Sequence, residues 1–244
     1  MKIRIKFRKQ GAMKFIGHLD VMRYFQKVMR RADVDIRYSE GFSPHQIMSF
    51  AAPLGVGLTS NGEYLDIDVH SSDSSEEMVR RLNNTMADGF QVLSFKRLPD
   101  DAKNAMSLVE AADYTLAFRK GYEPENLEEF FQGLMDFYSQ ESIMIVKKTK
   151  KGEKELDIKP LVYKLQIIRS SGDEIAPVNF GEFERPLIFV RVSTGSANNL
   201  KPEAFLQAYC EKIGYEYTPF TFEVQREEVY GSDFRPLDSY GENI

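Results

Sequence analysis

The nine residues MKIRIKFRK (1–9) alternate without a break: Met1, Ile3, Ile5 and Phe7 fall on one face of an extended chain, and Lys2, Arg4, Lys6 and Arg8 on the other. A period of two marks a half-buried strand, and it gives the sheet its first member. Over residues 19–32 the period lengthens to that of a helix, with Val21, Met22, Phe25, Val28, Met29 and Ala32 on one side and Arg23, Lys27, Arg30 and Arg31 on the other. Residues 39–60 carry Gly41, Pro44, Pro53, Gly55 and Gly57, which predicts a loop, a short strand near 47–51 and a further turn. An alternating strand over 63–69, a helix over 74–86 started by a Ser/Asp cluster, and a strand over 90–97 complete the series. The order β-α-β-β-α-β is that of a ferredoxin-like domain, expected over residues 1–98.

Residues 99–111 are polar and turn-rich, as in a linker, and the order then begins again. A strand is expected over 114–119, an acidic-faced helix over 124–138, and a strand over 142–148 that turns through Lys150, Lys151 and Gly152 into a hairpin partner. Strands over 161–168 and 186–193, a helix over 201–213 with Pro202 in its first turn, and a long last strand over 218–230 come next. The expected fold is α+β: two tandem ferredoxin-like domains, the second at 112–231 with a hairpin insertion, and a flexible tail at 232–244. A chain of 244 residues has room for two cores.

Composition narrows the class. With 42% hydrophobic, 12% aromatic and 28% charged residues the chain is that of a folded globular protein. Its one cysteine, Cys210, excludes an internal disulfide and cannot alone supply a zinc ribbon or an iron–sulfur cluster. The first residues lack the basic-then-apolar pattern of a secretory leader, and no apolar run approaches about 18 residues, so a cytoplasmic protein without membrane contact is expected. Charge is unevenly spread: residues 1–37 hold eleven Lys and Arg against three Asp, a local balance of +8 within a chain of net −5, so the remainder carries −13. Such a distribution favours one polyanion-facing surface on a repulsive body.

Several groups of residues could carry chemistry. If the apolar face of the first strand packs on the helices, Lys2, Arg4, Lys6 and Arg8 form a ladder about 7 Å apart on the other face of the sheet, close to the phosphate spacing of an extended strand. The same four cations could instead pair with acids from the second half of the chain. The helical stripe Arg23, Lys27, Arg30 and Arg31 extends the basic segment, although a polar helix face is often only solvated. His18, Asp20 and His45 could bind a metal or move protons, against the simpler reading of Asp20 as a helix-start carboxylate and of His18 as a capping or packing residue. The loop 193–199 before Pro202 could receive an anion or merely cap the helix. Walker, dinucleotide-binding, nucleophile-elbow, C-x-x-C and H-E-x-x-H patterns are absent from the sequence.

Phe15-Ile16-Gly17-His18-Leu19-Asp20-Val21-Met22-Arg23, Tyr38-Ser39-Glu40-Gly41-Phe42-Ser43-Pro44-His45, Ser49-Phe50-Ala51-Ala52-Pro53-Leu54-Gly55 and Asn199-Leu200-Lys201-Pro202-Glu203 together resemble the radical SAM-linked protein family, a bacterial group found beside, or fused to the C-terminus of, a radical SAM protein. Gly17, Ser43 and Gln46 depart from the family's usual Ser, Asn and Pro. The resemblance implies a radical SAM partner and, through the genes that accompany the family, a connection with RNA. This chain lacks the three cysteines that such a cluster requires, so it would be accessory and hold no cofactor of its own. The expectation is an RNA-binding or substrate-presenting protein for a radical SAM enzyme, with Lys2, Arg4, Lys6, Arg8, Arg23, Lys27, Arg30 and Arg31 on the nucleic acid. The alternatives are a metal-independent endoribonuclease like the CRISPR-type enzymes, using His18 or His45, and a structural subunit that touches no RNA.

Overall fold

The computed structural model of the chain describes residues 1–149, 152–169, 185–195 and 198–244. Lys150 and Lys151 of the expected hairpin turn, and Ser196 and Ala197 of the loop before Pro202, lie outside the described residues. In chain order the elements are β1 (Lys2–Lys9), α1 (His18–Arg31), β2 (Met48–Phe50), β3 (Thr59–Asp68), α2 (Ser75–Asn83), β4 (Phe90–Arg97), α3 (Ala105–Leu108), β5 (Ala111–Phe118), α4 (Leu127–Tyr138), β6 (Met144–Thr149), β7 (Gly152–Asp157), β8 (Val162–Ile168), β9 (Leu187–Ser193), α5 (Pro202–Ile213) and β10 (Phe222–Tyr230). The protein is α+β with a largely antiparallel sheet, and it forms two units: Met1–Ala111 with Gln225–Ile244, and Ala112–Val224.

In the first unit β1 lies between β4 and β3 and is antiparallel to both, with Ile5 opposite Leu65 on one side and Phe95 on the other. The outer edge of β3 is shared. Met48–Phe50 pair antiparallel with its C-terminal half, while Gln225 and Arg226 pair parallel with Thr59 and Ser60. One face of this sheet carries Ile3, Ile5, Phe7, Leu65, Ile67, Val92 and Phe95 against Val21, Phe25, Val28 and Met29 of α1 and Met78 and Leu82 of α2. The Phe7 and Phe25 rings meet at 4.5 Å. Helix α1 starts at the extended Gly17, carries Asp20 in its first turn and Arg30 and Arg31 in its last, and so suits its dipole at both ends. Helix α2 is capped by the Ser74 hydroxyl, which accepts from the Glu77 N–H.

Strand β3 begins before residue 63, and Gly62 is the reason. A Cβ there would sit 2.6 Å from the Glu227 carbonyl oxygen, so only glycine lets the backbone of β10 come this close. The C-terminal segment that the sequence reading treats as a flexible tail is instead packed. Leu237 is fully buried, Arg97 and Glu242 exchange both backbone hydrogen bonds at 2.8 and 2.9 Å, and the Ile244 N–H donates to Ser75 Oγ at 2.9 Å. Residues 225–244 therefore belong with the first unit, and the expected boundary at 231 is corrected to the middle of the last strand. The expected linker holds α3, and Ala105 and Val109 are buried.

In the second unit β9 lies between β5 and β8, and β8 and β9 are antiparallel. Phe222 at the start of β10 meets Phe118 of β5, ring to ring, at 4.5 Å. The hairpin β6–β7 forms a separate two-stranded sheet. Helix α4, capped by Asn126, and α5 bring Phe130, Phe137, Phe205 and Tyr209 together. Cys210 is buried here, and burial pushes its thiol up to about 12. No helix among the described residues is long and apolar enough to cross a membrane.

Candidate nucleic-acid interface

The ladder on β1 faces away from the helices, yet it is not open. Arg4 is 0% exposed, with Nε and Nη2 on the two Asp66 carboxylate oxygens at 2.8 and 2.9 Å and Nη1 donating to the Leu237 carbonyl at 3.0 Å. Asp66 also accepts from the Ala105 N–H at 2.7 Å, so the pair is held by several bonds at once. Lys6 Nζ lies 2.5 Å from Glu228, and Glu228 accepts from the Tyr64 hydroxyl at 2.6 Å. Burial raises the Glu228 carboxyl and the Tyr64 phenol above their ordinary values; for Glu228 the Lys6 charge opposes the rise without cancelling it. Lys2 Nζ donates to the Ala102 carbonyl at 2.7 Å. Arg8 is half-buried, and its Nε has no hydrogen-bond partner among the described residues.

The expected phosphate rail of Lys2, Arg4, Lys6 and Arg8 is therefore corrected. Residues 102–105 and 225–244 of the same unit cover the second face of the sheet. Alternation reports which side chains share a face, and it cannot report whether water reaches that face.

The stripe on α1 is a different case. Arg23, Lys27, Arg30 and Arg31 lie on the side of the helix away from the buried Val21, Phe25, Val28 and Met29. Arg23 makes a loose pair with Asp20 at 3.4 Å, whereas Lys27, Arg30 and Arg31 make no ion pair among the described residues. Exposed aromatic side chains lie in the segments on either side of α1: Phe15 ahead of it, 67% exposed, and after it Tyr38, 49% exposed, which lines a cleft together with Arg30, and Phe42, fully exposed. The loop holding Tyr38 and Phe42 is pinned to the helix. Gln46 Nε2 donates to the Gln26 carbonyl of α1 and to the Tyr38 hydroxyl, each at 3.3 Å, and the Ser39 N–H donates to the His45 carbonyl at 2.8 Å. Cations without acidic partners on α1, with Arg30 and the half-exposed Tyr38 at one cleft and Arg31 6.0 Å from the Tyr24 ring, can hold phosphates and offer a ring for a base to stack on. The sequence carried a signal for these rings, since Phe42 lies between Gly41 and Pro44 in a stretch with no helical or strand period to bury it.

The histidines are not brought together. His18 packs its ring edge-on against Phe50 at 5.2 Å, and His45 holds Ser39 Oγ through Nδ1 at 2.8 Å. Asp20 is exposed and bonded to Arg23. Among the described residues no group of three His, Cys, Asp or Glu could hold a metal ion. Ahead of α5, Ser193 Oγ donates to the Asn198 carbonyl, and Lys201, at the N-cap position before Pro202, makes no side-chain cap bond. Sequence reading missed two pairs, the buried Arg226 with Glu63 and the half-buried Arg191 with buried Asp113, because their partners are far apart in the chain.

The fold and this surface define a two-unit α+β protein with a basic helix face on which Lys27, Arg30 and Arg31 have no acidic partner among the described residues. The chain belongs to the DUF2344 family, described as an uncharacterized protein conserved in bacteria, whose family model matches residues 2–202. No curated protein sequence matches it. Among solved structures it is similar to a Cbf5-Nop10-Gar1 complex, at 9% identity over 95% of this chain and 50% of that one, with a TM-score of 0.45. It is also similar to a heavy metal efflux pump in crystal form II, at 8% identity over 94% of this chain and 28% of that one, with a TM-score of 0.23. The chain spans half the length of the first and less than a third of the second, and neither likeness is strong enough to assign a fold or a function.

Proposed function

We propose that the protein is an accessory module that binds RNA through the outer face of α1 and presents it to a radical SAM partner, and that each unit is a ferredoxin-like plait. The observation that carries the reading is the set of cations on α1 without acidic partners, of which Arg30 shares a cleft with the half-exposed Tyr38. The contrast within the first unit supports it: Arg4, Lys6, Arg81 and Arg226 are each committed to a carboxylate. Cations left unpaired on one helix are available to phosphates. The plait reading rests on strand order. In the first unit β1 stands between β4 and β3 with β2 beyond, and the second unit repeats the sequence of elements around β5, β9 and β8 with the hairpin inserted after α4.

The test is affinity purification of the full chain from native cells, as wild type and as Lys27→Ala with Arg31→Ala. Wild type should recover RNA and a radical SAM protein together, and the double variant should recover the protein without the RNA. Wild type that brings down no RNA at low salt would sink the reading.

A further inference from the structure

Between the C-terminal end of α1 and α2 lies a cleft of about 710 Å3, large enough for one nucleoside. We propose that it receives the 3′-terminal nucleoside of an RNA strand; this rests on the RNA reading above and narrows it to a free 3′ end.

The accessible surface of the cleft is mostly polar; Val34, Ile36 and Met78 line it but are themselves buried, and Tyr38 lines it with half its surface exposed. A flat base can stack on the exposed Tyr38 ring, whose hydroxyl is held by Gln46. The polar groups then select what is attached to the base. Asp33, Asp35 and Asp73 all line the cleft, and of its two cations Arg81 is already engaged. Arg81 bonds the Asp73 carboxylate at 2.6 Å, the Ala32 carbonyl at 2.9 Å and the Asp33 carbonyl at 2.6 Å.

Three carboxylates against two guanidiniums leave the interior negative, so a phosphate placed inside would be repelled. A ribose with free 2′ and 3′ hydroxyls offers two donors instead, and the Asp33 and Asp35 carboxylates are acceptors. Asp35 accepts from Ser71 Oγ at 2.7 Å, and a carboxylate has lone pairs beyond that bond. Only the last nucleoside of a strand has both hydroxyls free. Arg30 both lines the cleft and belongs to the unpaired α1 stripe, so the preceding phosphate would meet it on the way out.

The experiment is a fluorescence-anisotropy titration of the full chain with 5′-labelled oligoadenylate ending in a 3′ hydroxyl or a 3′ phosphate. The hydroxyl end should bind about tenfold tighter, as one hydrogen bond to a carboxylate would give. Tyr38→Ala should abolish that preference, and Tyr38→Phe, which keeps the ring, should retain it. If wild type binds both ends equally while Lys27→Ala with Arg31→Ala still weakens binding, the end site is wrong and the RNA reading stands. If no oligonucleotide binds, the RNA reading fails, and adenosine followed by NMR decides the cleft alone. Shifts at the methyl signals of Val34, Ile36 and Met78 would keep a nucleoside site, and unmoved signals would overturn it.

Discussion

Arg4 has no route to water, so its charge depends on Asp66. Asp66→Asn would leave a buried guanidinium facing an amide, and it would turn one acceptor toward the Ala105 N–H into a donor. The expected cost is about 3–5 kcal/mol in urea unfolding, the range for breaking one side of a buried pair. Arg23→Ala, which breaks only the exposed contact with Asp20, should stay within about 0.5 kcal/mol. Glu228 gives a pH dependence of definite sign. Burial raises its carboxyl above the ordinary 4.5, so the folded protein holds this proton more tightly than the unfolded chain does. The stability it contributes is complete below 4.5 and is lost as pH rises through the folded value. The melting temperature of wild type minus that of Glu228→Gln should therefore fall with rising pH above 4.5, and a flat difference would mean that Lys6 fully offsets the burial. The sequence placed Lys2, Arg4, Lys6 and Arg8 on one face correctly but could not show that Asp66, Leu237 and Glu228 arrive there from 62 to 233 positions away.

Helix α1 was legible because two independent signals agree on it: its 3.6-residue period, and charges placed to suit the dipole at both ends. Its basic stripe was legible for the same reason, since a helix with one apolar side has nowhere to hide four cations. Strand β3 was read short because its alternation is clear only from residue 63, and Gly62 just before it is where the backbone of β10 comes closest. If α1 is the phosphate-binding element, two cations removed from it should change salt dependence as well as affinity. Lys27→Ala with Arg31→Ala should make the log–log slope of RNA affinity shallower by about 1.4, from about 0.7 for each contact to a single strand. Stability should fall by no more than about 1 kcal/mol, because neither side chain makes an ion pair or belongs to the core and the losses are the dipole contact of Arg31 and its approach to the Tyr24 ring at 6.0 Å. An unchanged slope would move the RNA off this helix. Arg4→Ala with Lys6→Ala cannot serve as the comparison, because it unpairs Asp66 and Glu228 inside the fold.

For the molecule as a whole, the first unit is closed by residues from both ends of the chain. Residues 232–244 look dispensable from composition, being polar with Gly and Ser, yet the backbone of this segment does what its side chains do not advertise. The Leu237 carbonyl accepts from Arg4, the Glu242 backbone pairs with Arg97 at the end of β4, and the Ile244 N–H reaches Ser75 at the start of α2. Leu237 itself is the one fully buried apolar side chain in the segment. Truncation after Gly231 removes that burial and an acceptor for Arg4 together, so the loss should exceed that of Leu237→Ala, which alone is expected to cost about 2–5 kcal/mol. Urea unfolding of the two variants separates the contributions. If the truncated chain unfolds at the same urea concentration as wild type, the segment is the loose tail that its composition describes, and the enclosure of Arg4 must come from Asp66 and Lys103 alone.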